Sequence, residues 1–441
     1  MLQQQQINDL IEAQYHYFES RRPDDAAEVV KYLMEPLYEI GRYPELLDIL
    51  ERTINEVSVL DPSFQVVYAR TLLQLGRDDE AQAVLDVTGF QIRDNPQLSA
   101  AVLIDQANSL RRLGHIVEAG EIIQRYREAY DIYKDLLSTA DNELKRRLLW
   151  NNQATCFFGE GTIIQYFLEE PGEAMGSYQA ALDLYEKVSD GEGIGLVYKQ
   201  MGEIHGQKQF EAYYNPGRAA ELINRALDEF QKLNLQNRRY EALFQLGRIQ
   251  RTQLEASLKL FQECLRIAEG LGLLREQAIA NLNIADREFD LHKQRIESDP
   301  LSMPDYERDI SYRRIMATLE ESAGTLRLLE SDEMSRHALA ECCYLLACVW
   351  IELRSPTQAM LYLQKGLAAS EEPVFRGWFK HDAERRVMII LKMIQIQMQA
   401  GNDEESRKLF GQYQADFALL GISYPALDRI GEIIKSLEDR E

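Results

Sequence analysis

Six histidines, His16, His115, His205, His292, His337 and His381, are the first residues to test for chemistry. No two of them share a helical face at i, i+3 or i+4, and no H-E-x-x-H is present, so a zincin-type metal site has no sequence support. Cys342, Cys343 and Cys348 form a thiol-rich stretch. On a helix, Cys343 and Cys348 point about 140° apart, which is poor for shared ligation, and Cys343 falls on a core position. Gly191-Glu192-Gly193-Ile194-Gly195 is glycine-rich, but it follows a helical pattern and no βαβ unit surrounds it. A phosphate cradle needs strand, turn and helix in that order. The stretch reads as a loop between two helical hairpins. No G-x-S-x-G, P-loop or kinase series occurs. The expectation is therefore a chain that is not an enzyme, with no cofactor and no metal.

The elements that would position any binding residues come from a recurrence along the chain. A helix ends in an apolar residue and Gly, a polar stretch follows, and a second helix opens. Leu75-Gly76-Arg77-Asp78-Asp79-Glu80-Ala81 and Leu113-Gly114-His115-Ile116-Val117-Glu118-Ala119 show it most clearly. Ile40-Gly41-Arg42-Tyr43-Pro44-Glu45-Leu46 and Ala400-Gly401-Asn402-Asp403-Glu404-Glu405-Ser406 are further copies. Glycine closes the first helix in the left-handed region, and acidic side chains suit the start of the next. Small residues recur in the first helix as Ala69, Ala107, Gly202, Gly247, Ala285 and Ala347, and in the second as Ala81, Ala119, Ala219, Ser257 and Ala359. They let two helix axes approach to roughly 8–10 Å.

These motifs resemble the tetratricopeptide repeat, and the resemblance extends over nearly the whole chain. It implies an all-α, right-handed superhelical α-solenoid of about nine hairpins with a C-terminal capping helix. The expected layout is an N-terminal capping helix over 1–24, and six hairpins plus the start of a seventh over 25–285. An irregular hairpin with a long loop follows over 286–337, then two hairpins over 338–419 and the cap over 420–441. Pro300 and Pro304 among charged residues suggest the long loop, Pro36 is expected to kink the first hairpin, and the fourth hairpin is overlong around Asn151–Phe167.

Two residues before the small position, about 200° around the helix, a side chain is expected to face the concave groove. In three consecutive hairpins it is an amide, Gln200, Gln245 and Asn283, with Asn152 as a fourth if Ala154 is the small residue. An amide pairs with a backbone N–H and C=O together, so such a row could hold an extended peptide. Peptide-binding members of the family use asparagines at the matching position, and the resemblance implies the same use here. Lys199, Arg248 and Arg251 lie near the same groove and could read acidic side chains or a carboxylate. Val67 and Leu345 interrupt the row.

Acidic residues number 72 against 49 basic ones, a net charge of −23. Such a surface disfavours nucleic acid and anionic membranes and weakly favours a basic partner surface. The N-terminus lacks the order of a signal peptide, no stretch approaches the ~18 apolar residues of a membrane span, and five scattered cysteines make no disulfide framework. The expected protein is soluble and cytoplasmic. It is read as a scaffold or adaptor gripping a peptide or helix of a partner protein. The alternative is a regulatory sensor whose solenoid changes shape on binding a peptide or small ligand and controls a separate enzyme.

Overall fold

A computed structural model describes residues 4–92, 94–112, 119–299, 304–329, 333–370 and 379–419. These residues contain helices and no strand. The chain divides into two compact units, Met1–Val197 and Tyr198–Glu441.

The first unit opens with α1 (Gln4–Glu19), which packs on α2 (Pro23–Glu39). Hairpins follow as α2 with α3 (Tyr43–Glu56), α4 (Ser63–Gln74) with α5 (Asp78–Gln91), and α6 (Pro96–Arg112) with α7 (Ala119–Ser138). The last pair here is α8 (Glu143–Ile163) with α9 (Pro171–Val188), and α10 (Gly191–Gly206) runs from this unit into the next. The second unit continues with α11 (Pro216–Lys232), α12 (Gln236–Ile249), α13 (Leu254–Leu271), α14 (Leu274–Ser298) and α15 (Asp305–Leu328). It ends, among the described residues, with α16 (Glu333–Glu352), α17 (Pro356–Ala369), α18 (Phe379–Gln399) and α19 (Asp403–Leu419). Within each unit the helices other than α10 pack mainly on their chain neighbours, the one-dimensional order of an α-solenoid. The expected cap over 420–441 and the turn Leu113–Glu118 lie outside the described residues.

The small residues do what the spacing requires. Ala69, Ala81, Ala107, Ala219, Ser257, Ala285, Ala347 and Ala359 have no exposed surface. A Cβ added to Gly202 would lie 2.8 Å from Ile223 Cγ1 and 3.1 Å from the Ala219 carbonyl oxygen. At Gly247 it would meet the Phe261 ring at 2.9 Å, and the Ser257 hydroxyl donates to the Gly247 carbonyl at 2.7 Å. Gly41, Gly76 and Gly401 take φ of +77°, +73° and +74°. Around Gly76 the Arg77 N–H reaches the Leu72 carbonyl at 3.0 Å and the Gly76 N–H the Leu73 carbonyl at 3.2 Å, which closes the helix end and turns the chain.

Two sequence expectations fail locally. The long loop expected within 286–337 is short: α14 runs to Ser298 and α15 starts at Asp305. An apolar stripe carries the helices through it, since Phe289 and Ile296 pack with Tyr312, Ile315 and Leu319. Pro304 sits immediately before α15, where it costs no helical hydrogen bond. The glycine-rich stretch Gly191–Gly195 is the first turn of α10 rather than a loop. The Asp190 carboxylate accepts from the Glu192 and Gly193 amides at 3.1 Å each, an N-cap, and a Cβ on Gly193 would strike the Tyr185 ring. Elsewhere α2 continues through Pro36 to Glu39. The overlong fourth hairpin resolves into a π-helical turn, Ile164–Leu168, that ends at Glu169 with φ +56°. No described helix is long and apolar enough to cross a membrane.

Candidate functional site

Alternate helices decide which surface is inside. In the first unit α2 touches α4, α4 touches α6 and α6 touches α8; in the second α14 touches α16 and α16 touches α18. The second helices of the hairpins show no comparable contacts among the described residues. The first helices therefore line the tighter side of each stack, and their free face is the candidate groove.

In the second unit that face is built mainly from charges. The Lys199 ammonium lies 2.5 Å from Glu241, and Arg238 approaches the same carboxylate at 3.2 Å. Burial alone would push the Glu241 carboxyl up, but the two cations hold it below its ordinary value. On α14, Arg287 is 5% exposed and pairs with Asp286 and Asp290. Burial pushes the Asp286 carboxyl up; Arg287 and the more distant Arg251 oppose this, while Asp290 and Glu341 add to it. Glu341 pairs in turn with Arg385, whose guanidinium lies 5.4 Å from the centre of the Tyr344 ring.

The residues singled out in the sequence divide into three groups. Lys199 is on the groove side but committed to Glu241. Gln200 is only 7% exposed and has a partner within the protein, so it does not present its amide to solvent. The Asn283 Nδ2 donates to the Ile279 carbonyl of its own helix at 2.8 Å. The expectation of a solvent-facing amide row therefore fails at Gln200, and at Asn283 one donor is already engaged. The reason is visible at the same position in α6 and α16: Asp105 is buried against Arg70 of α4 at 2.6 Å, and Leu345 belongs to the core. That position faces the seam between neighbouring first helices, and the sequence offered the signal in Asp105, Val67 and Leu345.

Gln245 and Asn152 are half-buried, and their side chains make no hydrogen bond among the described residues. Asn152 lies on α8, in the first unit. Arg248 and Arg251 are exposed and form no ion pair among the described residues. Glu241, Gln245 and Arg248 follow one another at i+4 and i+3, so α12 carries them on one stripe, and Arg251 lies in the turn that follows the helix. Sequence reasoning missed the carboxylates Glu241, Asp286 and Glu341 of the same face. Asp286 occupies the position directly after the small residue, as Arg248 and Arg70 do, and that shared offset was the available clue.

Cys342 and Cys343 are buried, and burial raises the thiols of Cys342, Cys343 and Cys348, with Cys343 at about 11. Among the described residues no group of His, Cys, Asp and Glu is arranged to hold a metal ion.

No family model and no curated protein matches the sequence. Among solved structures, the apo form of RapI is similar at 13% identity and a TM-score of 0.50, over 85% of this chain and 98% of its own. A monomeric mutant of IFIT1 bound to m7Gppp-AAAA is similar at 15% identity and a TM-score of 0.51, over 100% of this chain and 87% of its own. A STAND protein with a tetratricopeptide repeat sensor from Pyrococcus horikoshii follows at 13% identity and a TM-score of 0.48. This chain spans 89% of its own length in that comparison but 54% of the STAND protein. At these identities the likeness concerns the fold alone, an all-α array of paired helices.

Proposed function

We propose that this chain is a non-catalytic interaction module that holds an extended, acidic segment of another protein along α12 and α14. One observation carries the reading: on a face where the other charges are paired, Arg248 and Arg251 stand exposed without an ion-pair partner among the described residues. Beside them Gln245 offers a donor and an acceptor at once. Two guanidinium groups, one on the last turn of α12 and one in the turn after it, suit carboxylates, which they can grip with paired hydrogen bonds. Gln245 would bond the peptide backbone beside them, while Lys199 with Glu241 and Arg287 with Asp286 hold the flanking surface rigid. The net charge of −23 keeps non-specific anions away and so favours a ligand that is acidic only where the arginines are.

The test is fluorescence anisotropy with labelled extended decapeptides of acidic, neutral and basic composition. A short capped RNA is run alongside, because the IFIT1 complex contains one. Acidic peptides are expected to bind. Reversing charge with Arg248→Glu and Arg251→Glu together should weaken binding tenfold or more, by roughly the worth of one to two charge-assisted hydrogen bonds. Gln245→Ala should weaken it roughly two- to tenfold. The control is Glu229→Ala with Lys232→Ala on α11, a pair bonded to each other at 2.6 Å, which should change little. Preference for RNA, or equal losses in the control and the arginine variants, would overturn the proposal.

A further inference from the structure

The other side of the second unit carries a cavity that the groove does not use. It has a volume of about 460 Å³ and lies between α15, α16 and α17. Its floor is apolar, formed by buried Leu339 and Cys343 with half-buried Ala369, exposed Ala368 stands at its edge, and three cations, Arg327, Arg336 and Lys365, line it as well. Leu339 and Cys343 are one helical turn apart, while Glu341 of the groove face is two residues from Cys343, about 200° around α16. Cavity and groove therefore open on opposite sides of that helix.

Gly366 makes room for the floor. A Cβ there would lie 3.0 Å from Cys343 Cβ and 3.3 Å from the Ala340 carbonyl oxygen, so α17 packs closely on α16 at the base of the cavity. Arg327 and Lys365 are exposed and line the cavity together with the buried Cys343. Arg336 is half-buried and has a partner of its own. Arg327 has no ion-pair partner among the described residues, and Lys365 rests 4.7 Å from the centre of the Tyr362 ring. The nearby carboxylate, Glu320, is occupied by the Tyr362 hydroxyl at 2.8 Å. Two available cations over an apolar floor are an uncommon combination on a chain of net charge −23, and the volume is that of a small-molecule site.

We infer that the cavity between α15, α16 and α17 binds a small amphipathic organic anion, its phosphate or carboxylate head between Arg327 and Lys365 and its apolar body on Leu339, Ala368 and Ala369. The size of the cavity fits a free small molecule. The fluorescent probe for the test is 1-naphthyl phosphate, titrated against the full chain, with 1-naphthol and inorganic phosphate as body-only and head-only arms. Naphthyl phosphate is expected to bind at least tenfold tighter than either. Lys365→Ala and Arg327→Ala, both at exposed positions that folding tolerates, should each weaken it about tenfold. Ala368→Phe should fill the cavity and abolish binding, while unchanged helical circular dichroism shows that the chain still folds. Equal binding of naphthol, full competition by inorganic phosphate at equal concentration, or unchanged affinity in the Ala368→Phe variant would each overturn the inference. The groove variants Arg248→Glu and Arg251→Glu should leave this binding intact, so the two sites fail or succeed separately.

Discussion

Individual polar residues in this protein are ruled by what surrounds them more than by their type. Arg70 and Asp105 are bonded at 2.6 Å across the seam between α4 and α6, with the carboxylate largely removed from water. A charge at that depth persists only because the partner is there. His292 shows the opposite solution. Its ring is 6% exposed, lies edge-on to Tyr312 at 4.7 Å, and its Nε2 is buried without a partner. Burial, followed by Arg295 and Arg308, lowers its pKa below 6.5, while Glu352 opposes them. A depressed folded value means that the unfolded chain takes up the proton first as pH falls. This contribution to stability is full above pH 6.5 and is lost as pH drops from there through the folded value. Thermal unfolding followed between pH 5 and 7 should show a fall in Tm toward acid that His292→Phe reduces. An identical slope in the variant would remove His292 from the account.

At the scale of the element, glycine has two separate uses, and they predict opposite mutational effects. Gly202 is a packing residue, because a methyl group there meets Ile223 and the Ala219 backbone. Gly202→Ala should destabilise by about 1–3 kcal/mol through overpacking, less the helix propensity regained. Gly176 lies inside α9 with no atom within 4 Å of an added Cβ. Gly176→Ala should stabilise by about 0.5–1 kcal/mol, since alanine costs less backbone entropy in a helix. Urea denaturation of the two variants checks the pair. The signs reversed would mean that the helix contacts at Gly202 are looser than the distances here.

On the scale of the whole molecule, stability should be local. Within each unit the helices other than α10 pack mainly on their chain neighbours, so the effect of a lost contact decays over one or two hairpins. Leu72 has no exposed surface and anchors the core of α4 and α5 with Leu85 and Val102. Leu72→Ala should cost about 2–5 kcal/mol by its cavity. Hydrogen exchange in the variant should accelerate in α4, α5 and α6 and stay unchanged in α16 and α17. Uniform acceleration throughout the chain would show a single cooperative unit instead of a repeat array.

The amino-acid sequence by itself determined the helices, their pairing and the small residues between them. Those signals are local: Ala69 and Ala81, or Gly76 with its φ of +73°, act within a dozen residues, and short-range sterics write them into the chain. The position of Pro304 before α15 needed more, because only the packing of Phe289 and Ile296 against Tyr312 shows that α14 continues to Ser298. The candidate groove depended on tertiary structure most of all. Gln200, Gln245 and Asn283 look alike in sequence, yet one is buried, one is unbonded and one is tied to its own helix at Ile279. Helical phase tells which way a side chain points, but the neighbouring helix decides whether water or protein lies in that direction. For the same reason Arg248 and Arg251 differ from Arg287, whose charge meets Asp286 and Asp290 before any ligand can.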